Sequence, residues 1–256
     1  MIFATMLKAE NTRKRLAELA QVEGGNELQW DLSHIAPMPS ELVLKAIRES
    51  GTWAEFEAGR EKTKERAQDA IRNRDAKSLL CLMANHHNLD FVYRNIRPLW
   101  QQGMYETALI DALVAPRTNN SSFTLGMKLW MLELGGREKL LAAGDALPPG
   151  ETFTLYRGVA GTTRERQVRG VSWTDDLETA KWFAGRFPYL ANPAVYETTV
   201  TPAEIYCFIN DREEREYICV AQKYRKLKFT PEQLHESFLE TNERRRQENI
   251  ASKSVE

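Results

Sequence analysis

The chain has 256 residues, of which 42% are hydrophobic and 28% charged, and its 35 basic and 36 acidic side chains leave a net charge of -1. This composition is ordinary for a globular protein and argues against a disordered chain, collagen or a coiled coil. The parts before and after Gly150 are each close to neutral, so binding to nucleic acid through bulk positive charge alone is disfavoured.

The cysteines and the N-terminus predict a cytoplasmic protein. Cys81, Cys207 and Cys219 show no C-x-x-C spacing, and an odd number of cysteines does not suggest a disulfide framework. The apolar opening at residues 1–7 is interrupted by Lys8 and lacks the features of a signal peptide. The sequence contains no stretch of about 18 uncharged apolar residues, so no membrane span is predicted. We therefore expect a reducing compartment and no membrane partner.

Apolar residues recur at spacings of three and four up to about residue 143, which predicts a mostly helical first region. Acidic and basic side chains alternate over residues 60–80 in the manner of a solvated helix face. A loop is expected over 115–122 and a helix over 123–141. The glycine- and proline-rich stretch that ends at Gly150 predicts a boundary between a helical region, 1–147, and a second domain, 148–256.

The second domain is expected to be rich in short strands, which makes the whole chain an α+β protein. One helix interrupts the strands, with Asp175 as a candidate N-cap and Glu178 three residues later. The buried stripe expected for this helix comprises Leu177, Ala180, Phe183, Ala184 and Phe187. The expected strands are 153–159, 167–174, 195–201, 204–209 and 216–220.

The C-terminal part predicts one more helix. Thr230, Pro231 and Gln233 supply a cap, a first-turn proline and a capping-box glutamine. The tail at 244–256 is too polar to be expected to pack well.

Most common catalytic signatures are absent from the sequence. It contains no G-x-x-x-x-G-K-[ST], no G-x-G-x-x-G and no H-E-x-x-H, and residues 170–174 depart from G-x-S-x-G. The adjacent His86 and His87 would point about 100° apart on a helix, which makes a poor pair of metal ligands. They are expected to be ordinary surface or boundary residues, as are His34 and His235, and no metal site is predicted.

Three segments of the second domain combine unusual polar residues. Arg157 lies in an otherwise apolar strand, where a buried charge is costly without an anionic partner. Strand alternation puts the hydroxyls of Ser172 and Thr174 on one face. It likewise puts Glu214 and Glu216 on one face, where like charges raise each other's proton affinity, as is more common in active sites. Each segment alone has a structural explanation: an ion pair, edge-strand hydroxyls or an acidic turn. Their ordered combination favours a functional site.

This order of motifs resembles the R-S-E class of mono-ADP-ribosyltransferases. The likeness covers about 153–222 and combines an arginine on a first strand, Ser-x-Thr before an Ala-x-x-Phe-Ala helix, and Glu-x-Glu on a late strand. The family's middle motif is commonly Ser-Thr-Ser, from which this sequence departs at Trp173 and Thr174. The resemblance implies a split β-sandwich with flanking helices. It rests on Tyr156-Arg157-Gly158, Ser172-Trp173-Thr174, Ala180-Lys181-Trp182-Phe183-Ala184 and Glu214-Arg215-Glu216.

The resemblance also implies that NAD is the substrate and that no metal is needed. Arg157 would meet a phosphate or ribose of NAD, Gly158 would let its backbone approach the nicotinamide amide, and Ser172 would orient Glu216. Glu216 would bind the ribose 2′-hydroxyl and stabilise the positive charge that develops at the anomeric carbon. Glu214 would orient or deprotonate the incoming nucleophile. The residues implied to contact NAD are Arg157, Gly158, Ser172, Thr174 and Phe183.

The acceptor of ADP-ribose stays open at this point. A glutamate at the position of Glu214 resembles the arginine-modifying members, whereas other members modify nucleobases, so a protein arginine and an RNA base are both candidates. The basic stretch at 60–77 and the aromatic residues Trp53, Tyr93 and Trp100 would suit single-stranded RNA, through phosphate pairing and base stacking. The alternative is that the basic stretch is a solvated helix face and the aromatic residues belong to the core. The helical region would then serve acceptor recognition or regulation.

The expected function is NAD-dependent mono-ADP-ribosyl transfer to an intracellular macromolecule. The chain resembles stand-alone bacterial toxins of toxin–antitoxin and antiphage systems, which implies an antitoxin protein as a further partner. Two alternatives remain: a NAD glycohydrolase that uses water as the acceptor, and a non-catalytic module that binds a nucleotide or a partner on the same fold.

Overall fold

The computed structural model describes residues 2–21, 28–114, 123–162, 170–210 and 214–253. The chain divides into two compact units, Met1–Asn120 with Trp130–Gly135, and Ser121–Leu129 with Gly136–Glu256. The second unit thus begins before residue 148, at which the second domain was expected to start. Within the described ranges, every helix is too short or too polar to cross a membrane.

The first unit is helical, as its apolar periodicity predicts. Tyr105 is fully buried in its core and donates a hydrogen bond to the carbonyl of Met131 at 3.0 Å. The expected charged face is confirmed on the helix Trp53–Arg72, where Lys64 and Glu61 form an exposed ion pair at 2.6 Å. The loop expected over 115–122 lies outside the described residues. The helices are α1 (Ile2–Gln21), α2 (Glu41–Glu49), α3 (Trp53–Arg72), α4 (Ala76–Leu80), α5 (Asn88–Arg94), α6 (Ile96–Gln101) and α7 (Tyr105–Val114), with a 3₁₀ turn at Asn85–His87.

The helix expected over 123–141 is observed as two helices. The first, α8, spans Leu125–Gly135, and the second, α9, spans Arg137–Ala143. Between them, Gly136 adopts a φ of +80°, a left-handed conformation that ends the first helix and that glycine adopts without strain. In the second unit, Arg137 donates to the carbonyls of Ile205 and Pro202 at 3.0 and 2.6 Å, so α9 is bound to the chain that forms the sheet.

The second unit contains an antiparallel sheet with flanking helices, which confirms the α+β class. The elements after α9 are β1 (Phe153–Val159), β2 (Ser172–Thr174), α10 (Leu177–Gly185), β3 (Ala194–Val200), a 3₁₀ turn (Pro202–Glu204), β4 (Ile205–Ile209), β5 (Glu216–Cys219), β6 (Arg225–Lys226) and α11 (Pro231–Lys253). The described strands form one six-stranded sheet in the order β4-β5-β2-β1-β3-β6.

The sheet buries apolar side chains on both faces. Leu155, Trp173 and Tyr217 belong to a core cluster on one face. On the other face, Val195 of β3 packs in a second cluster with Ala180 and Ala184 of α10, and α11 joins it through its own buried leucine. Successive strand residues point to opposite faces, which explains why the neighbours along each strand divide between the two clusters.

The element boundaries differ from the sequence predictions in several places. The second strand is short: β2 begins at Ser172, while residues 167–169 of the expected strand lie outside the described residues. Residue 204 belongs to the 3₁₀ turn and not to β4. The stripe residue Phe187 lies beyond the end of α10, and Phe183 and Leu177 are only half-buried.

The C-terminal helix begins as predicted but extends further. Thr230 and Gln233 cap it reciprocally, with side chain to backbone hydrogen bonds at 2.9 and 3.3 Å. The helix continues through the polar tail to Lys253, and within that tail Arg245 lies over the ring of Trp182 at 4.9 Å. The prediction that the tail does not pack is therefore wrong at Arg245.

Candidate active site

The three predicted motifs lie on three adjacent strands. In the sheet, β2 runs between β1 and β5, so Thr174 faces Tyr156 on one side and Glu216 on the other. The strand order therefore brings together an arginine segment, a serine segment and a glutamate segment that are far apart in sequence.

Ser172 and Glu216 are joined by a hydrogen bond. The Ser172 hydroxyl donates to Oε1 of Glu216, and both residues are partly buried. Ser172 and Thr174 lie two residues apart on β2, and Thr174 is directly opposite Glu216, so all three side chains start from one face of the sheet. The role that the resemblance implies for the serine, orientation of the glutamate, matches this contact.

The side chain of Arg157 bonds to the main chain of the same serine. Its guanidinium donates to the carbonyl oxygen of Ser172. The register puts Arg157 on the opposite face of β1 from Tyr156, so it approaches β2 from the side of Trp173 and not from the side of the Ser172 hydroxyl. Burial lowers the pKa of Arg157 to about 10, and the Glu216 carboxylate acts in the opposite direction on that pKa. The Glu216 carboxylate is thus near enough to stabilise the charge of this arginine, and the guanidinium stays charged at neutral pH.

A glycine makes room for that guanidinium. A Cβ at Gly170 would lie 2.8 Å from Nε of Arg157, and nearer still to the end of the guanidinium, well inside van der Waals contact. The residue at position 170 therefore controls the space that Arg157 occupies.

Glu214 is not placed by strand alternation, contrary to the prediction. The strand β5 begins at Glu216, and Arg215 between the two glutamates adopts a φ of +45°, so an extended backbone does not continue to Glu214. Instead, the Glu214 carbonyl accepts a hydrogen bond from the Thr174 hydroxyl at 2.9 Å.

Thr174 and Gly158 both have structural roles in this unit. The buried Thr174 hydroxyl donates to Glu214 and also accepts from the backbone N–H of Asp176 at 3.1 Å, so its polar atom is committed to the main chain. A Cβ at Gly158 would lie 2.6 Å from the Ala184 nitrogen, because α10 packs directly on β1. Packing by itself therefore requires glycine at position 158.

Phe183 lies on α10 beside a second arginine. It is half-buried, and the Arg186 guanidinium lies 4.9 Å from the centre of its ring and 4.7 Å from the ring of Phe187. Arg186 also lowers the pKa of Arg157 by its positive charge, which places this aromatic and cationic group near the candidate site.

Sequence analysis missed a buried lysine in the same unit. Lys128 is only 4% exposed, and burial, together with the positive charge of Arg157, lowers its pKa to about 8. The spacing of apolar residues predicts which face of a helix is buried, but it does not show that a lysine on that helix is buried. No sequence signal therefore distinguished Lys128 from an exposed lysine.

Sequence analysis also missed an ion pair beside Glu214 and Glu216. Asp175 accepts hydrogen bonds from Nε and Nη2 of Arg215 at 2.6 and 2.5 Å, and a third from the Tyr217 hydroxyl at 2.9 Å. Burial and the bond to Asp175 raise the pKa of Tyr217 to about 12, so this hydroxyl remains a donor at neutral pH. The predicted N-cap is consequently wrong: α10 is capped by Asp176, which accepts from the backbone of Glu178 and Thr179.

Three of the four histidines meet in the first unit. The rings of His34 and His87 stack at 4.3 Å, His86 and His87 lie 3.9 Å apart, and His34 pairs with Asp90 at 2.7 Å. Their burial agrees with the prediction of surface or boundary residues, because His86 is exposed and His34 and His87 are partly buried. Among the described residues, no cluster of histidine, cysteine and acidic side chains has the arrangement of a metal site.

The site thus joins a serine-oriented glutamate, a partly buried arginine and a second glutamate on a tethered turn. Comparisons with models of protein families, with curated proteins and with solved structures found no match to this chain.

Proposed function

We propose that this protein is a NAD-dependent mono-ADP-ribosyltransferase whose second unit binds and cleaves NAD. The observation that carries the proposal is the contact between the Ser172 hydroxyl and the Glu216 carboxylate across 44 positions of sequence, with Arg157 bound to the carbonyl of the same serine. The resemblance requires these three residue types to act together, and the finer fold it implies, a split β-sandwich, is part of the proposal.

The proposed reaction breaks the bond between the anomeric carbon of the ribose and the nicotinamide nitrogen. The electron pair of that bond leaves with nicotinamide, which becomes neutral, while positive charge develops on the ribose. A carboxylate at Glu216, held by Ser172, stabilises that charge. The guanidinium of Arg157 suits a phosphate oxyanion. Glu214 takes the proton of the nucleophile as it bonds to the anomeric carbon.

The departure from the family motif at Trp173 leaves the site open. This ring is 1% exposed and packs in the core cluster on the face opposite the Ser172 hydroxyl, where its indole nitrogen donates to the Gly170 carbonyl at 3.1 Å. The substitution therefore does not fill the space around Glu216. This observation favours an enzyme over a non-catalytic binding module, while a glycohydrolase that uses water remains the alternative outcome of the test below.

The proposed acceptor is an intracellular macromolecule, either an RNA base or a protein arginine. Two of the rings considered for RNA already pack against protein rings, Trp53 on Phe56 at 5.7 Å and Tyr93 on Trp130 at 6.3 Å. The proposed setting is the bacterial cytoplasm, where the protein acts as a toxin of a toxin–antitoxin or antiphage system restrained by an antitoxin protein.

The deciding experiment is incubation of a bacterial lysate with labelled NAD and the purified protein, with nicotinamide release measured in parallel. We expect macromolecular label with the wild type and about a hundredfold less with Glu216→Gln, because the amide keeps the shape but not the charge of the carboxylate. Sensitivity of the label to nuclease or to protease identifies the acceptor. Release of nicotinamide without label would identify a glycohydrolase, and wild-type activity of Glu216→Gln would overturn the assignment of the site.

A further inference from the structure

An unusual backbone conformation separates the two candidate catalytic glutamates. Arg215 has a φ of +45°, in the left-handed region that bulky residues rarely adopt. Such a conformation costs free energy and persists only where surrounding contacts determine it, and these sites cluster where function needs a fixed geometry. Arg215 is the link through which any movement of Glu214 relative to Glu216 must pass.

Contacts from the turn between β2 and α10 hold this link. Asp175 grips the Arg215 guanidinium with two hydrogen bonds and is itself fixed by the hydroxyl of Tyr217, whose ring is fully buried in the core. One residue earlier, Thr174 binds the carbonyl of Glu214. The turn that carries Glu214 is therefore tied at both its main chain and the following side chain.

Stability alone does not account for the ion pair. The Arg215 side chain is 50% exposed, and ion pairs at exposed positions contribute little to the free energy of unfolding. Its bidentate geometry instead fixes the direction of the guanidinium, and with it the backbone at position 215. Glu216, in contrast, lies in paired strand β5 and is held by Ser172, so two restraints other than the ion pair fix its position.

We propose that Asp175 and Arg215 form a latch that positions Glu214 for the transfer of ADP-ribose to the acceptor. The proposal rests on the proposed function of the site. The pair acts on the acceptor step and not on the cleavage of NAD, because the latch holds the turn of Glu214 while Ser172 holds Glu216. Asp175 and Arg215 are positioning residues.

Four variants test the latch. Asp175→Asn removes the charge that grips Arg215, Arg215→Ala removes the guanidinium, and Arg215→Gly removes it while supplying a residue that adopts positive φ without strain. Arg225→Ala is the matched control, since Arg225 also forms an arginine–carboxylate ion pair with Glu197, at 2.7 Å in the same sheet, and its side chain is 74% exposed.

We expect Asp175→Asn and Arg215→Ala to lower transfer to the acceptor by about tenfold to a hundredfold, the scale of a small misplacement of a catalytic group. Nicotinamide release into water should change less than about threefold, and Arg215→Gly should recover much of the transfer. Arg225→Ala should leave both rates unchanged. Equal loss of transfer and of nicotinamide release in Asp175→Asn would overturn the assignment of the latch to the acceptor step.

Hydrogen exchange measured by mass spectrometry supplies a readout that does not depend on activity. Amides of residues 214 and 215 should exchange faster in Asp175→Asn than in the wild type, and at the wild-type rate in Arg225→Ala. Unchanged exchange in Asp175→Asn overturns the latch whatever the activity. A wild type that neither labels an acceptor nor releases nicotinamide overturns the proposed function, and the exchange result then still decides whether Asp175 holds the turn.

Discussion

Replacement of Gly158 by alanine tests how closely α10 packs on the sheet. The new Cβ would lie 2.6 Å from the Ala184 nitrogen, about 0.8 Å inside the 3.4 Å at which ordinary contact begins, and closer still to the Ala180 carbonyl oxygen. Both are main-chain atoms, so rotation of a side chain cannot relieve the overlap. The helix has little room to retreat, because Gly185 on α10 lies against the main chain of Leu234 in α11.

The expected cost of Gly158→Ala follows from this geometry. Overpacking in a core costs about 1–3 kcal/mol and more where the backbone must move, so we expect about 3 kcal/mol of lost stability. For a chain of this size that loss corresponds to a fall in melting temperature of roughly 6–12 °C. The assay is thermal and urea denaturation followed by circular dichroism.

The same substitution at Gly59 is the control. Gly59 lies in the exposed face of α3, and a Cβ there would meet no atom within 4 Å. Alanine is the better helix former by about 1 kcal/mol, so Gly59→Ala should stabilise the protein. The same replacement of glycine by alanine should therefore lower the stability of the protein at position 158 and raise it at position 59. A melting temperature of Gly158→Ala within about 2 °C of the wild type would refute the close packing of α10 on β1.

Three further substitutions probe the site and its surroundings. Gly170→Ala places a methyl group against the end of the Arg157 side chain and not against the main chain, so we expect a smaller fall in melting temperature than for Gly158→Ala but about tenfold weaker binding of NAD by calorimetry. Unchanged affinity would remove Arg157 from the site. Trp173→Thr introduces the residue common in the family. Because the ring fills the core, the substitution should lower the free energy of unfolding by about 3–5 kcal/mol and should not speed up nicotinamide release. A faster enzyme would show that the tryptophan had blocked the site. Lys128, with its pKa lowered from 10.5 to about 8, releases its proton in the folded state before the unfolded chain does, so the wild type should gain up to about 3 kcal/mol relative to Lys128→Met between pH 8 and 10.5. Urea denaturation at both ends of that range checks the sign, and a constant difference would contradict the burial of the charged lysine.

Local patterns predicted several elements of the fold but not their arrangement. The bounds of β1 match the expected strand, because alternation of apolar residues is a property of the segment alone. The helix expected over 123–141 is divided at Gly136, because apolar spacing continues across the Gly135-Gly136 pair while the second glycine adopts a positive φ that ends the first helix. The contact between Ser172 and Glu216 depends on β2 lying next to β5, an order of strands that no local pattern specifies.

The residues flanking the candidate glutamates show where local reasoning fails. The sequence predicted alternation from Glu214 to Glu216, but the left-handed conformation of Arg215 interrupts it. Propensity disfavours positive φ for arginine, so the conformation follows from its tertiary contacts with Asp175 and not from the segment itself.

The misassigned N-cap and the overlooked ion pair have one physical cause. Two consecutive aspartates precede α10, and the local capping pattern selects Asp175, because Glu178 follows it by three residues. In the structure, Asp176 caps the helix through hydrogen bonds from Glu178 and Thr179 at 3.0 and 3.3 Å. A helix start needs only one such acceptor, so the first aspartate can bond to Arg215, 40 residues further along the chain. Asp176 therefore caps α10, while the bond from Arg215 to Asp175 ties the start of that helix to the turn of Glu214.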